Sequence, residues 1–181
     1  SLKALESMTV LPNEGASIGK VVYEQSALFL AMDMMKKKRY NEALKYIEKS
    51  KSYPENLGVG KPYESDTRLQ DYLKIKCLEK MNRKNEIPEI TRSVVDFTKK
   101  RMGYPSLSNL LAVRLLKDQG DSAAANDLIQ KIRSSERADN PVNRYIIAAA
   151  GNDQAAISEL EKRLEGNPAF QILKKLEEVT K

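Results

Sequence analysis

The sequence predicts an all-α fold arranged as an α-α superhelix, with three to four helix pairs and a C-terminal capping helix. Three observations support this class. Apolar residues recur at spacings of three, four and seven along most of the chain, no convincing alternating strand pattern occurs, and Asn, Asp, Pro and Gly divide the chain into segments of helical length.

Residues 1–17 are expected to form an irregular N-terminal linker, because Pro12, Gly15 and Gly19 lie close together. A repeat domain is expected over 18–181. Its first helix is expected to run from about residue 18 to 38. The inward stripe of that helix is Val21, Leu28, Ala31 and Met35.

Asn41 is expected to cap the second helix. Its inner face carries Ala43, Leu44, Ile47 and Ser50. An inserted loop over 53–65, rich in Gly and Pro, then interrupts the pattern and is too long for a tight turn between helices. Asp66 is expected to cap the third helix. The apolar face of that helix is Leu69, Tyr72, Leu73, Cys77 and Met81.

The next boundaries are also marked by caps and prolines. Asn85 is expected to cap the fourth helix, with Pro88 in the first turn, where a missing N–H loses no intrahelical bond. Pro105 is expected to open the fifth helix and Gly120 to end it. Asp121 is expected to begin the sixth helix.

Two Asn-Pro pairs, Asn140-Pro141 and Asn167-Pro168, each combine a capping side chain with proline at the first helical position. They predict the starts of the seventh and ninth helices. Gly151 is expected to end the seventh helix, and Gly166 the eighth.

A repeat is visible in these helices. Gly120-Asp121 followed by Ala125 recurs as Gly151-Asn152 followed by Ala156, a period of 151 − 120 = 31. The small residue lets the second helix of a pair approach the first closely. A single pair cannot bury its apolar face, so stacked pairs are expected to form a continuous core.

The stretch Lys38-Arg39-Tyr40-Asn41-Glu42-Ala43, followed by Ile47, Ser50 and Pro54, resembles the tetratricopeptide repeat, with Lys38 in place of the usual Gly. The resemblance extends over roughly residues 20–165 and becomes weaker towards the C-terminus, where the pairs equally resemble generic α-α repeats. It implies a binding scaffold.

A closer resemblance rests on the stretch 11–16 and on the loop Tyr53-Pro54-Glu55-Asn56-Leu57-Gly58-Val59-Gly60-Lys61-Pro62-Tyr63, continued to Tyr72. Together they resemble the helical-repeat region of large bacterial proteins with an upstream domain of unknown function. The resemblance implies that this chain is one segment of a multidomain protein. It implies no established activity, and the family's link to carbohydrate processing is an association only.

Composition excludes several kinds of site. The chain has no His and one Cys, so Ser-His and Cys-His catalysis, His-ligated zinc and an internal disulfide are excluded. No cofactor or metal is expected, and no apolar run is long enough to span a membrane. The N-terminus does not resemble a signal peptide. The location, periplasmic or cytoplasmic, is expected to follow that of the parent protein.

The loop sequence Gly58-Val59-Gly60-Lys61 suggests a phosphate-binding P-loop. However, Glu55 occupies the position of the first glycine of a P-loop, and Pro62 occupies the position of its Ser or Thr. The better hypothesis is a structural bridge between two helices, with Asn56, Lys61, Asp66 and Arg68 holding the loop by hydrogen bonds. A docking surface for another domain of the parent protein is the alternative. The residues assigned to the loop are Asn56, Gly58, Gly60, Lys61, Tyr63, Asp66 and Arg68.

The repeat register predicts a partner-binding groove suited to an acidic or C-terminal peptide. Its residues are Lys36, Tyr72, Lys76, Lys80, Arg114, Lys117 and Tyr145. A solvated face without a ligand is the alternative explanation. The net charge is +6, but acidic residues lie between the basic ones, and the chain lacks aromatic platforms on which bases could stack. Both features disfavour binding of nucleic acid. Cys77 is expected to be buried and inert.

The resulting hypothesis is a non-catalytic scaffold that binds a protein, a peptide or a neighbouring domain of its parent chain. The alternative is an accessory segment that completes the site of an upstream carbohydrate-acting domain.

Overall fold

The computed structural model describes residues 2–10 and 16–180. Within these ranges the chain forms ten α-helices and two 3-10 turns and contains no strand, which confirms the all-α class. The helices are α1 (Leu2–Ser7), α2 (Ala16–Lys36), α3 (Tyr40–Lys51), α4 (Arg68–Lys80), α5 (Ile87–Lys100), α6 (Ser108–Asp118), α7 (Ser122–Arg133), α8 (Pro141–Gly151), α9 (Gln154–Leu164) and α10 (Pro168–Thr180). The 3-10 turns are Glu55–Leu57 and Lys84–Glu86.

The chain divides into two compact units, Ser1–Lys84 and Asn85–Lys181, where the sequence predicted one domain over 18–181. The first unit contains α1 to α4, and the second contains α5 to α10.

In the first unit, α2 packs along α3, and α3 packs on α4. The buried side chains of α2 are Lys20, Tyr23, Ala27, Leu28, Ala31, Met32, Met34 and Met35. The methionines fill the core, as their spacing predicts. The assignment of Val21 to the inward stripe is wrong, because this side chain is 50% exposed. Since α2 is apolar around most of its circumference, periodicity alone does not identify its buried face.

The predicted irregular segment 1–17 contains the short helix α1. Its Leu2 is buried in one cluster with Tyr23, Ala27 and Leu57. The apolar residues of this segment therefore pack on the same cluster. The sequence does not indicate this packing, because the segment is rich in turn-forming residues. Pro12 and Gly15 lie outside the described residues, and Gly19 lies within α2.

In the second unit, α6 contacts α5, α7 and α8, and α8 contacts α9. Nearly all of α6 is buried: Asn109, Leu110, Leu111, Ala112, Val113, Leu115 and Leu116. The rings of Tyr145 on α8 and Phe170 on α10 pack edge to face with centroids 5.3 Å apart. These contacts give the second unit its own apolar core.

Several predicted caps are present. Asp121 accepts from Ala124 N at 2.9 Å, Asn140 from Val142 N at 2.9 Å and Asn167 from Ala169 N at 2.9 Å. Three predicted caps are wrong. Asn41 lies inside α3, which begins at Tyr40, and Asn85 lies within a 3-10 turn that precedes α5. The N-cap of α4 is Thr67, so Asp66 lies one residue before the predicted position. The fifth predicted helix begins at Ser108, three residues after Pro105.

A left-handed residue ends a helix at four places. Lys38, Asn82, Gly120 and Asn152 have φ of 59°, 58°, 82° and 56°. At each place the following amide donates to a carbonyl five residues back, as in Arg39 N to Met34 O at 2.8 Å. This is the Schellman closure of a helix.

These turns contradict the predicted alignment of Gly120 with Gly151. Gly151 still belongs to α8, and Asn152 takes the left-handed conformation, so Gly120 corresponds to Asn152. The caps Asp121 and Asp153 are 153 − 121 = 32 residues apart, and this spacing aligns Ala125 with Ile157, so the predicted match of Ala125 with Ala156 is lost. In this register the buried residues Leu128 and Leu160 correspond.

Candidate functional site

The first part of the inserted loop is a structural clamp. Asn56 Nδ2 donates to the carbonyls of Leu5 at 2.9 Å and Met8 at 2.7 Å, and Asn56 O accepts from Val10 N at 2.7 Å. The next residue, Leu57, is 1% exposed, and Gly58 ends the 3-10 turn with φ of 67°. Asn56 and Gly58 therefore hold the loop against the N-terminal segment and do not form a free docking surface.

The second part of the loop faces solvent. Gly60, Lys61 and Tyr63 are exposed, and the Tyr63 ring is fully so. A Cβ built on Gly60 would meet nothing within 4 Å, so close packing does not require glycine there. These three residues remain accessible to a partner.

Asp66 and Arg68 fix the entry of the chain into α4. Asp66 Oδ2 lies 2.7 Å from Arg68 Nη2, and Asp66 Oδ1 accepts from the Arg68 backbone N–H at 3.2 Å. Arg68 is 3% exposed. A cation this deeply buried is held by its carboxylate partner. Asp66 and Arg68 therefore hold the end of the loop by hydrogen bonds, as the sequence predicts, and the alternative of a docking surface is wrong for Arg68.

The predicted groove loses its aromatic residues in both units. Tyr72 is 4% exposed and Tyr145 is 2% exposed, so neither ring is presented to a ligand. The sequence predicts both tyrosines in the groove, because residue spacing along a helix does not distinguish a side that faces a groove from one that faces the core. Their rings fill the core instead, which buries a large apolar area.

The groove cations of the first unit lie at different places. Lys36 and Lys80 are exposed at the C-terminal ends of α2 and α4. Lys76 lies over the Tyr72 ring, 5.3 Å from its centroid, and forms an ion pair with Glu79 at 3.1 Å. Lys76 is thus engaged within its own helix.

The groove cations of the second unit are both engaged. Arg114 on α6 forms an ion pair with Glu177 on α10. Lys117 Nζ donates to Ala150 O, near the end of α8, at 2.6 Å. Arg114 and Lys117 connect helices of this unit, which is a structural role.

The chain's single thiol is inaccessible. Cys77 is fully buried, and burial raises the pKa of its thiol to about 12. This agrees with the prediction of a buried, inert cysteine. Within residues 2–10 and 16–180, no cluster of three or more Cys, Asp or Glu side chains is arranged to hold a metal ion.

A buried polar network that the sequence did not reveal joins α2, α3 and α4. Lys20 Nζ donates to Glu24 Oε2 at 2.8 Å and to Ser50 O at 3.0 Å, and it lies 4.6 Å from the centroid of the Tyr53 ring. Gln70 Nε2 donates to Glu24 Oε1 at 2.7 Å. Because its members satisfy one another, the network fixes helix packing and offers no open position for a ligand.

One face of α3 lines a shallow concavity of about 430 Å³. The described residues around it are Glu42, Lys45, Tyr46 and Lys49. Lys49 forms an ion pair with Glu6 of α1. The side chains that line the concavity are partly exposed and include both positive and negative charges. The concavity therefore does not favour one class of ligand.

The most distinctive surface is the outer face of α2, formed by Ile18, Val21, Val22 and Phe29. Their side chains are 68%, 50%, 42% and 37% exposed. Large apolar side chains scattered singly over a surface are ordinary, but these four lie on one helix, and three of them, Ile18, Val21 and Val22, lie within two helical turns. The sequence indicates this surface only indirectly. Because α2 is apolar around most of its circumference, it carries more apolar side chains than its buried side can accommodate.

Comparison of this chain with family models, with curated proteins and with solved structures yields no match. Among the described helices, none is long and apolar enough to cross a membrane.

Proposed function

We propose that this chain is a non-catalytic helical-repeat scaffold of the tetratricopeptide type that binds another protein or a neighbouring domain of its parent chain. The observation that carries the proposal is the outer face of α2. Its exposed apolar residues are joined to a helix whose opposite side is firmly packed in the core. An exposed apolar stripe on a helix whose other side is packed in the core is the arrangement that partner helices and grooves recognise.

The repeated left-handed turn supports the scaffold part of the proposal. Helix ends at Lys38, Asn82, Gly120 and Asn152 share one backbone geometry and one closing hydrogen bond. Such a turn ends one helix and lets the next begin within a few residues, which is how the helix pairs of an α-α superhelix are joined. The superhelical arrangement of three to four pairs remains part of this proposal.

The buried state of the chemically reactive groups also favours binding over catalysis. The thiol of Cys77 and the phenol of Tyr145 are buried, and burial raises the pKa of each group to about 12. A nucleophile or general base needs access to its substrate and a pKa near the working pH. Neither group meets this requirement.

Site-specific photocrosslinking in cells that make the parent protein tests the proposal. A photoreactive amino acid at Phe29 is expected to form covalent adducts with a defined set of proteins, or with a defined segment of the parent chain. The matched control is the same amino acid at Gln130, an exposed polar position of α7.

Val22→Asp in the same chain is expected to abolish the adducts formed from position 29, because it places a charge in the middle of the apolar patch. Adducts that are the same from positions 29 and 130, or that survive Val22→Asp, would contradict the proposed binding face. Thermal denaturation of the variant checks that it is folded.

A further inference from the structure

The last helix of the second unit, α10, connects two neighbouring helices, α8 and α6. Near its amino end, the Phe170 ring packs edge to face on the Tyr145 ring of α8, with centroids 5.3 Å apart. Towards its carboxyl end, Glu177 forms an ion pair with Arg114 of α6. Phe170 and Glu177 are separated by about 10 Å along the helix, which is also the usual distance between the axes of two packed helices. We call the surface that α10 contacts the α6–α8 face and define it by Tyr145 and Arg114.

Apolar burial holds α10 between these two contacts. Phe170, Leu173 and Leu176 are each at most 3% exposed. They lie at intervals of three residues on one side of the helix, and Glu177 follows on the same side. Lys175, on the opposite side, is exposed. The contact side of this amphipathic helix is therefore an aromatic ring, two leucines and a carboxylate.

The helices that form the α6–α8 face have other partners in the second unit. α6 contacts α5 and α7 as well as α8, and α8 also contacts α9. Seven of the 11 residues of α6 are buried, whereas α10 buries three of its 13. We therefore expect that release of α10 exposes this face while the other helices of the unit stay packed.

The polar contacts of α10 are ones that another helix can replace. Arg114 and Glu177 are 28% and 19% exposed, and Lys174, which pairs with Glu161 of α9 at 2.7 Å, is 43% exposed. Ion pairs at partly exposed positions contribute little net stability, because water competes for both partners. Residues 165–167 join α9 to α10, so α10 can leave the face without the unfolding of another helix.

The contacts of α10 also show which chemistry the α6–α8 face accepts. Arg114 and Tyr145 are two of the residues for which the sequence predicts contact with an acidic peptide. In the structure they contact a helix of the chain itself, through the carboxylate of Glu177 and the ring of Phe170. α10 thus serves as a template for an external helix with the same contact side.

We propose that the α6–α8 face is a docking site for an amphipathic helix of another protein and that α10 occupies the site until such a helix replaces it. The partner helix carries an aromatic residue, apolar residues three and six positions later, and a carboxylate seven positions later. Its aromatic ring packs on Tyr145, and its carboxylate pairs with Arg114. The site belongs to the second unit, whereas the outer face of α2 belongs to the first. It therefore goes beyond the proposed function and is tested separately from it.

A labelled peptide with the sequence of residues 167–180 tests whether the face accepts a helix from outside. Its affinity for the full chain is measured by fluorescence anisotropy. Phe170→Ala/Leu173→Ala in the chain weakens the chain's own α10 and is expected to raise the affinity at least about tenfold, because the internal competitor is lost. Lys175→Ala/Glu178→Ala, at two exposed positions of the same helix, is the matched control and is expected to leave the affinity at the wild-type value. The absence of a gain overturns the inference.

A second variant keeps the test decisive if circular dichroism shows that the double alanine chain is unfolded. Glu177→Lys in the chain places a cation against Arg114 and leaves the apolar side of α10 intact. It is expected to raise the affinity for the same peptide, and to do so much less for a peptide that itself carries Glu177→Lys. Equal affinities for the two peptides overturn the inference.

Charge reversal identifies the face to which the peptide binds. In the Phe170→Ala/Leu173→Ala chain, Arg114→Glu is expected to weaken binding of the peptide at least about tenfold and to restore binding of the peptide with Glu177→Lys. Arg144→Glu, at an exposed position of α8, makes the same change of net charge and is expected to change neither affinity. Binding that Arg114→Glu does not affect takes place elsewhere and overturns the inference.

A third peptide tests the partner pattern and the displacement of α10. It keeps the aromatic residue, the two leucines and the carboxylate at their spacing on a background of alanine and glutamine. At saturating concentration it is expected to accelerate amide hydrogen exchange in α10 of the wild-type chain and not in α6. Failure to bind, or bound peptide with unchanged exchange of α10, overturns the inference. A dimer of the wild-type chain that Phe170→Ala/Leu173→Ala abolishes would overturn it in favour of α10 from a second copy as the occupant.

Discussion

The side-chain amide of Asn56 donates a 2.7 Å hydrogen bond to the carbonyl of Met8, 48 residues earlier in the chain. The same amide reaches Leu5 O at 2.9 Å, and Val10 N returns a bond to Asn56 O. One loop residue thus satisfies backbone groups that would otherwise lack partners after the end of α1. The first half of the inserted loop and the N-terminal segment therefore form one structural element.

Asn56→Ala is expected to release residues 2–10 from the first unit. The substitution removes two hydrogen bonds, each with a net contribution of about 0.5–1.5 kcal/mol, and water replaces the donor at the partly buried Leu5 carbonyl and the exposed Met8 carbonyl. The segment is then held mainly by its apolar contacts and detaches more often. Amide hydrogen exchange of residues 2–10 is expected to accelerate strongly, whereas exchange in α6 stays unchanged. The matched control is Asn126→Ala, at an exposed position of α7. Unchanged protection of residues 2–10 in Asn56→Ala would show that α1 is held by its apolar contacts alone.

The features that the sequence predicts correctly are local ones. Asp121, Asn140 and Asn167 each cap a helix through a bond to an amide two or three residues away, so the cause lies within the same short stretch of sequence. The burial of Cys77 follows in the same way from an apolar stripe with few alternatives.

The errors concern relationships that short stretches of sequence do not contain. Tyr72 and Tyr145 lie on stripes that are compatible with a groove or a core, and only the packing of other helices decides between them. The clamp at Asn56 joins positions 48 residues apart. The prediction that Val21 belongs to the buried stripe of α2 is wrong because this helix is apolar on more than one face.

The left-handed turn at Gly120 gives a prediction that separates backbone strain from steric clash. Gly120→Ala is expected to destabilise the fold by about 1 kcal/mol, because an L-residue is strained at φ of 82° although a Cβ there meets nothing within 4 Å. Gly166→Ala, where a Cβ also meets nothing and φ is not positive, is the control and is expected to be nearly neutral. Urea denaturation measures both. Equal stability of the two variants would contradict the assignment of Gly120 to a strained turn.

Lys38 has the corresponding strain in the wild-type chain, with φ of 59°. Lys38→Gly is expected to stabilise the first unit by about 0.5 kcal/mol, since relief of the left-handed strain outweighs the added freedom of the unfolded chain. Lys37→Gly is the control, because Lys37 precedes the left-handed position, and it is expected to give no such gain. A loss of stability in Lys38→Gly would indicate that contacts of the lysine side chain outweigh the strain.

Cys77 provides a test of the buried core of α4. Burial raises the pKa of its thiol to about 12, from 9.0 for an ordinary thiol, so the reactive thiolate is scarce at neutral pH. A disulfide reagent is expected to modify the native chain at least about a hundredfold more slowly than the urea-unfolded chain at pH 8. Since the chain has a single cysteine, the whole signal reports this residue. Equal rates in the two states would show that α4 opens readily.

Tyr145 makes the stability of the second unit depend on pH in the alkaline range. Burial and, to a smaller extent, the carboxylates of Glu177 and Glu161 raise the pKa of its phenol to about 12, against the opposing effect of Arg114. Because the folded pKa lies above the unfolded value of 10.0, the phenol stays protonated longer in the folded state. Its contribution to stability is complete below pH 10 and is lost as the pH rises towards 12.

Glu177→Gln is expected to lower the pKa of Tyr145, because it removes a nearby negative charge and leaves Arg114 without its ion-pair partner. Ultraviolet titration of tyrosinate, taken as the difference from a Tyr145→Phe chain, isolates this residue from the other seven tyrosines. Glu165→Gln, at an exposed carboxylate near the end of α9, is the control and is expected to leave the titration unchanged. The alkaline loss of stability should still begin near pH 10 in Glu177→Gln, but it should be complete at a lower pH and be smaller than in the control. A Tyr145 titration that does not move would show that burial alone governs the phenol and that the Arg114–Glu177 pair does not act on it.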